Sequence, residues 1–182
     1  MPTPATATDR READDSALLQ RIARNDEQAF TALVLRYQNR FYSVARRMLG
    51  NQHDSEDAVQ LAFLRVFRSA REYRDEWRGS TWLYRILTNV CIDAWRKRRH
   101  ETTGAGETAA GARALDTDRL DLEAALVRLP SEARAIFLLR HMEDLPYEEI
   151  ARIRGVTVNT VKTQLRRSKQ SMRSYLTLET GR

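Results

Sequence analysis

Cysteine is nearly missing from this chain: Cys91 stands alone among 182 residues. No disulfide framework can hold the fold, no thiolate set can hold zinc, and a reducing compartment is the simple expectation. Three histidines, His53, His100 and His141, are scattered with no ligand partner at metal-site spacing, so neither a metal nor another cofactor is expected. Glycine (7 residues) and proline (4 residues) are scarce, which removes the commonest breakers of regular structure. No apolar run approaches the roughly 20 residues that cross a bilayer. The opening Met-Pro-Thr-Pro-Ala-Thr-Ala-Thr-Asp lacks the apolar centre of a signal peptide. A cytoplasmic protein without direct membrane insertion is therefore expected. Paired carboxylates in a pocket-forming context, a nucleophile elbow and a glycine-rich phosphate loop are also missing, so the chain reads as neither an enzyme nor a binder of small-molecule substrates.

What the chain has is charge and helical periodicity. Lysine and arginine exceed aspartate and glutamate by 31 to 25, a net charge of +6, which points to an anionic partner. Apolar residues recur every three or four positions over long stretches, so the expected fold is all-α. Residues 1–20 are Pro/Thr/Ala/Asp-rich at their start and are expected to form a disordered tail. A helix is expected from Asn25, with Gln28 as a capping-box partner and a stripe of Phe30, Leu33, Val34, Tyr37, Phe41, Val44, Ala45 and Met48, stopped by Gly50-Asn51. A second, from Asp54 to Ala70, packs through Val59, Ala62, Phe63 and Val66; an irregular loop spans 71–80; a third covers 81–99 through Leu83, Ile86, Leu87, Val90 and Ala94. Residues 101–117 hold three glycines and few large apolar groups and read as a flexible linker. Helices over 118–128, 131–142, 147–154 and 157–177 follow, with Pro130 and Pro146 as boundaries. The expected organisation is two small helical domains, 21–100 and 118–178, on a tether.

The stretch from Pro146 to Lys169 carries the sharpest signal. A short helix ends at Gly155, suited to the positive φ of a helix terminus, and a second starts near Thr157. Ala151 permits a close crossing, while Ile150, Val156, Val161 and Leu165 can fill the space between helices. This is the layout of a helix-turn-helix, whose second helix lies in the DNA major groove. Lys162, Arg166, Arg167, Lys169 and Arg173 load that helix with positive charge, whereas Glu148 and Glu149 sit on the first. An ordinary helical hairpin with a solvated basic face is the competing reading.

Two more surfaces stand out. Asp54, Glu56 and Asp57, then Gln60, Leu61 and Leu64, run along one side of a helix. They suit a docking face for a basic partner, or simply a helix start stabilised by its dipole. The loop 71–80 and the helix after it combine Arg71, Arg74 and Arg78 with Tyr73, Trp77 and Trp82, and then align Thr81, Arg85, Thr88 or Asn89, and Arg96. Cations interleaved with flat rings are what single-stranded DNA requires, although each tryptophan taken singly fits a core as well.

In this order the pieces resemble a bacterial RNA polymerase sigma factor of the extracytoplasmic-function group. The matching strings are Asp-Glu-Gln-Ala-Phe at 26–30, Asp-Ser-Glu-Asp-Ala-Val-Gln-Leu-Ala-Phe-Leu-Arg-Val-Phe at 54–67, Thr-Trp-Leu-Tyr-Arg-Ile-Leu-Thr-Asn-Val at 81–90, Leu-Pro at 129–130, Tyr-Glu-Glu-Ile-Ala at 147–151 and Thr-Val-Lys-Thr-Gln-Leu-Arg-Arg at 160–167. The resemblance implies a region 2 helical bundle and a region 4 helix-turn-helix. Asp54, Glu56, Asp57, Gln60, Leu61 and Leu64 would dock on the β′ clamp helices of core polymerase, with the β flap as a further contact. Arg71, Tyr73, Arg78, Ser80, Thr81, Trp82, Arg85, Asn89 and Arg96 would hold the melted minus-10 strand with a flipped base. Lys162, Thr163, Arg166, Arg167 and Lys169 would face the minus-35 duplex. The linker would thread toward the RNA exit channel, and an anti-sigma factor would be a further partner. Two residues depart from the group: Gln164 stands where arginine is common and Arg154 where an apolar residue is usual, which bears on minus-35 preference. Without the resemblance, a stand-alone helix-turn-helix regulator and a polymerase-independent RNA-binding or adaptor protein are the competing functions.

Overall fold

The computed structural model describes residues 7–103 and 117–180, and among them every regular element is helical. The chain begins with α1 (Ala7–Ile22), and this overturns the expectation of a disordered tail through residue 20. Leu18, Leu19 and Ile22 fall on one helical side and are buried, and a polar, threonine-rich start had hidden that short stripe. Asp15 is also fully buried; its carboxylate accepts from Arg36 Nη1 at 2.7 Å and from the Tyr37 hydroxyl, so its charge is compensated. Residues 1–6 of the expected tail lie outside the described residues.

Helix α2 (Glu27–Leu49) starts two residues later than expected. Asn25 has φ 65°, a left-handed turn that ends α1, and Asp26 is the cap, its Oδ1 accepting from the Ala29 N–H at 3.0 Å. That bond, with Arg21 beside it, holds the Asp26 carboxyl below the ordinary carboxylate value. Gly50, at φ 81°, closes α2. Helix α3 (Gln52–Ser69) opens on Asn51, whose side chain accepts from the Asp54 N–H at 2.9 Å. A single 3-10 turn (Ala70–Glu72) and a short loop lead to α4 (Gly79–Thr103).

These four helices enclose Leu33, Tyr37, Phe41, Val44 and Met48 of α2, Ala62 and Val66 of α3, and Leu83, Tyr84, Leu87 and Val90 of α4. Phe41 and Phe63 stack with ring centres 5.1 Å apart. Cys91 is fully buried and its thiol is pushed up to about 12 by burial, so it serves as a small apolar filler.

The second half holds α5 (Thr117–Arg128), α6 (Ser131–His141), α7 (Tyr147–Arg154) and α8 (Val158–Thr180). Leu139, Ile150, Ile153, Val161 and Leu165 form its centre. The expected linker, 101–117, falls almost wholly on residues 104–116, which lie outside the described residues.

The two halves pack on each other, α2 against α5 and α6, and α4 against α6 and α7. Arg134 of α6 is fully buried at this junction. Its guanidinium donates to the Met48 carbonyl in the last turn of α2, to the Val127 carbonyl, and to the Leu129 carbonyl at 2.9 Å. Helix ends leave carbonyls without intrahelical partners, and here a cation from the other half supplies the donors. Arg98 assists from α4, reaching the Leu49 carbonyl at 3.4 Å.

Candidate functional site

The outer face of α8 is the simplest of the three surfaces. Thr157 caps the helix, its hydroxyl accepting from the Thr160 N–H at 3.1 Å, and Gly155 at φ 65° makes the turn. Val161, Leu165, Ser168 and Met172 face inward. The remaining positions therefore put Lys162, Thr163, Arg166, Arg167 and Lys169 on the exposed side. Arg166, Lys169 and Arg173 flank a shallow concavity. A basic face of this kind fits phosphates.

On α3, Glu56, Asp57, Gln60, Leu61 and Leu64 are exposed together. Leu64 keeps 50% of its surface in solvent, too much for a core residue, and Phe67 extends the apolar patch. Sequence inspection missed Phe67, because its spacing fits an inward packing residue as well; it rests edge-on against Phe30 at 5.1 Å. Asp54 differs from its neighbours. It is half-buried and receives Arg98 Nη1 at 3.0 Å. Burial pushes its carboxyl up, but hydrogen bonds from Asn51 and Arg98 outweigh that and hold it below the ordinary value. Asp54 thus braces the start of α3, its carboxylate also accepting from Asn51 Nδ2 at 2.7 Å.

The aromatic-basic surface divides by register. Helix α4 starts at Gly79, two residues before the expected start; Thr81 and Thr88 share a face with the buried Tyr84 and Cys91, and both are buried, as is Ser80. Tyr73 is also buried; its hydroxyl donates to the Trp77 carbonyl at 2.7 Å and lies 2.7 Å from Ser16 Oγ, so it is a strut of the loop. Arg78, Arg85, Asn89 and Arg96 point outward, as does Arg71, whose Nε reaches the Ala23 carbonyl at 3.3 Å. Trp77, Trp82, Arg85 and Asn89, with Arg74 and Ile86, line one groove, and the Arg85 guanidinium lies 4.9 Å from the Trp77 ring centre. Flat rings with cations beside them are the groups that a single strand requires.

One neighbour of this groove was not foreseen. Helix α7 lies across its upper edge, with Glu149 receiving Arg78 Nε at 2.9 Å and accepting from the Thr81 hydroxyl. Arg154 Nη1 donates to Asn89 Oδ1 at 2.8 Å and to Thr88 Oγ1 at 3.0 Å. The sequence clue was Arg154 itself, a cation among inward-facing positions.

Comparison with known proteins gives the family. The family described as Sigma-70 region 2 matches residues 33–101, and Sigma-70, region 4 matches 119–172. The chain is similar to the ECF RNA polymerase sigma-E factor of Haemophilus influenzae, 31% identical over 180 residues, covering 89% of this chain and 95% of that one. It is also similar to the ECF RNA polymerase sigma factor SigE of Mycolicibacterium smegmatis, 38% identical over 156 residues, covering 79% of this chain and 60% of that one. Its fold is similar to that of the sigma factor RpoE of Bartonella quintana, solved with the anti-sigma factor NepR, at a TM-score of 0.67 and 22% identity, covering 81% and 96% of the two chains. With both sigma regions present in order, the chain belongs to the ECF RNA polymerase sigma factors.

Proposed function

We propose that this sigma factor selects promoters by dividing recognition between its two halves while mounted on core RNA polymerase. The observation that carries the reading is one polypeptide presenting three separate exposed faces: acidic-apolar on α3, aromatic-basic at α4 and basic on α8. Glu56, Asp57, Gln60, Leu61 and Leu64 dock on the β′ clamp helices, and the second half contacts the β flap. Lys162, Thr163, Arg166, Arg167 and Lys169 hold the minus-35 duplex, where backbone contacts set position and base-edge contacts set sequence. Trp77, Trp82, Arg85 and Asn89, with Arg71, Arg78 and Arg96 at the rim, take the minus-10 strand once its bases unstack. A captured base offsets the few kcal/mol that unstacking costs, so strand capture favours opening.

The chain initiates transcription and catalyses no reaction of its own; the chemistry belongs to the polymerase. Its place of work is the cytoplasm, and among the described residues no helix is long and apolar enough to cross a membrane. A partner of anti-sigma type follows from the relative solved with NepR.

The test is transcription in vitro with purified chain, core polymerase and fragmented genomic DNA, followed by sequencing of the transcript ends. Starts preceded by two shared elements at fixed spacing are expected. Starts no different from those of core polymerase alone would refute the reading.

A further inference from the structure

Residues 73–78 carry a ring and a cation assigned to the melted strand, yet no helix or strand of their own holds them. A loop that wandered would meet a strand in its competent shape only part of the time, and its affinity would fall by that fraction. Order has to come from a neighbour.

Helix α1 supplies it. Contacts recur along one side of α1, and the loop meets them in reverse order. Just past the end of α1, the Ala23 carbonyl accepts from Arg71 Nε at 3.3 Å. One turn back, Gln20 Nε2 donates to both carboxylate oxygens of Asp75 at 3.0 Å. A further turn back, Ser16 Oγ lies 2.7 Å from the Tyr73 hydroxyl. There the backbone of α1 also crosses Gly79, so closely that a Cβ would stand 3.1 Å from the Ser16 nitrogen. Residues 16, 20 and 23 share a face at helical spacing.

A relay carries these contacts to the groove. The Tyr73 hydroxyl has one proton, and it goes to the Trp77 carbonyl at 2.7 Å. The Ser16 hydroxyl is then the donor to Tyr73. Trp77 closes the turn, its N–H donating to the Arg74 carbonyl at 3.0 Å, and its ring lines the groove beside Arg85. The place of that ring thus depends on a serine that does not line the groove. Asp75 argues the same way. A carboxylate in a loop meant for phosphates repels the ligand, so charge gives it no place there, whereas holding Gln20 does.

We propose that α1 is a splint for the strand-capturing loop, with Ser16, Gln20 and Tyr73 as positioning residues that act on promoter opening without touching DNA. This rests on the strand-binding reading of the groove. Because the splint orders the loop in advance, capture of an unstacked base loses less conformational freedom.

The experiment uses holoenzyme of the full chain and core polymerase, at equal sigma occupancy, on two templates. One is a duplex promoter taken from the start sites mapped with wild type. The other is the same promoter with its minus-10 segment mismatched and already open. Tyr73→Phe keeps ring and charge but loses the relay. Its initiation rate on the duplex is expected to fall roughly fivefold, the change that one net hydrogen bond gives. On the open template the deficit should shrink to about twofold or less, because the strand no longer has to be unstacked. Ser16→Ala should lower duplex initiation too and add nothing to Tyr73→Phe, since both break one relay. Ser16→Thr keeps the hydroxyl and should keep the wild-type rate. If circular dichroism shows that Tyr73→Phe has lost its helices, Gln20→Ala at an exposed position replaces it, with a duplex deficit of about twofold, as suits an exposed contact. A deficit of equal size on both templates, or none on the duplex, overturns the splint. A wild type that selects start sites while these variants lose nothing sinks the splint alone, whereas a wild type that selects none sinks the promoter reading.

Discussion

At Gly79 the missing side chain lets α1 lie directly across the first turn of α4. A Cβ placed there would stand 2.8 Å from Asp15 Cβ and 3.1 Å from the Asp15 carbonyl carbon and the Ser16 nitrogen. Two of those atoms are backbone, and Asp15 is pinned by Arg36 and Tyr37, so nothing nearby can rotate away. Two effects of Gly79→Ala oppose each other. Helix propensity favours alanine by at most about 1 kcal/mol, less at a helix start. Overpacking a fixed crossing costs about 1–3 kcal/mol. The steric cost wins, and Gly79→Ala is expected to melt several degrees below wild type in a thermal scan. A melting temperature equal to or above wild type would show that α1 is free to shift. The same crossing explains why α1 belongs to the fold although its sequence begins like a tail: three apolar side chains and one compensated carboxylate suffice when a glycine opposite makes room.

Among the elements, helix limits were legible where a local signal fixed them and drifted where two signals competed. Helix α7 runs Tyr147–Arg154, the span that Pro146 and Gly155 enclose. The start of α2 shifted because Asn25 and Asp26 are both good caps, and only the left-handed φ of Asn25 decides between them. The start of α4 shifted because nothing in Gly-Ser-Thr-Trp marks which residue opens the helix, and Thr81 proved inward because the side it shares with Tyr84, Thr88 and Cys91 is packed against the rest of the fold. The outward residues of α8 were readable from period alone, since Val161, Leu165 and Met172 leave one choice of face. Contacts between α7 and α4 could not be read at all, because they join residues more than sixty positions apart. On α3 the structure separates Asp54 from its acidic neighbours. Glu56→Lys with Asp57→Lys is expected to weaken core polymerase binding by about tenfold or more, the equivalent of roughly 1.4 kcal/mol, without moving the melting temperature. Asp54→Asn should do the reverse. The folded-state pKa of Asp54 is lowered, so its contribution is present above the ordinary value of 3.8 and fades as pH falls through the lower folded value. Asp54→Asn should accordingly cost stability at neutral pH and lose that deficit in acid. Retained polymerase binding by the double reversal, measured by competition against a labelled sigma factor, would remove the docking assignment.

For the molecule as a whole, the junction of the halves has one fully buried anchor, beside which Arg154 and Glu143 are nearly buried and other ion pairs more exposed. Arg134 is the anchor. Burial, with Arg98 nearby, lowers its pKa to about 10, still far enough above neutrality to keep the cation charged. The carbonyls of Met48, Val127 and Leu129 take the place of water around it. Hydrogen bonds to a charged group contribute about 1.5–3 kcal/mol each, and stranding a buried carbonyl costs a similar amount. Removing the side chain therefore acts on both halves at once: α6 loses its hold on the end of α5, and α2 loses the donor on its last turn. Arg134→Ala is expected to lower stability by about 3 kcal/mol or more. It should also change the form of unfolding, because the link from the last turn of α2 to α5 and α6 is lost. In calorimetry the wild type should unfold at low salt in one transition, and Arg134→Ala in two, the second half melting first because α5 has lost its anchor. Arg134→Lys should fall between, since an ammonium group reaches fewer of the three carbonyls than the planar fork of arginine. A single transition at an unchanged temperature in Arg134→Ala would mean that the halves are coupled by their apolar contacts alone.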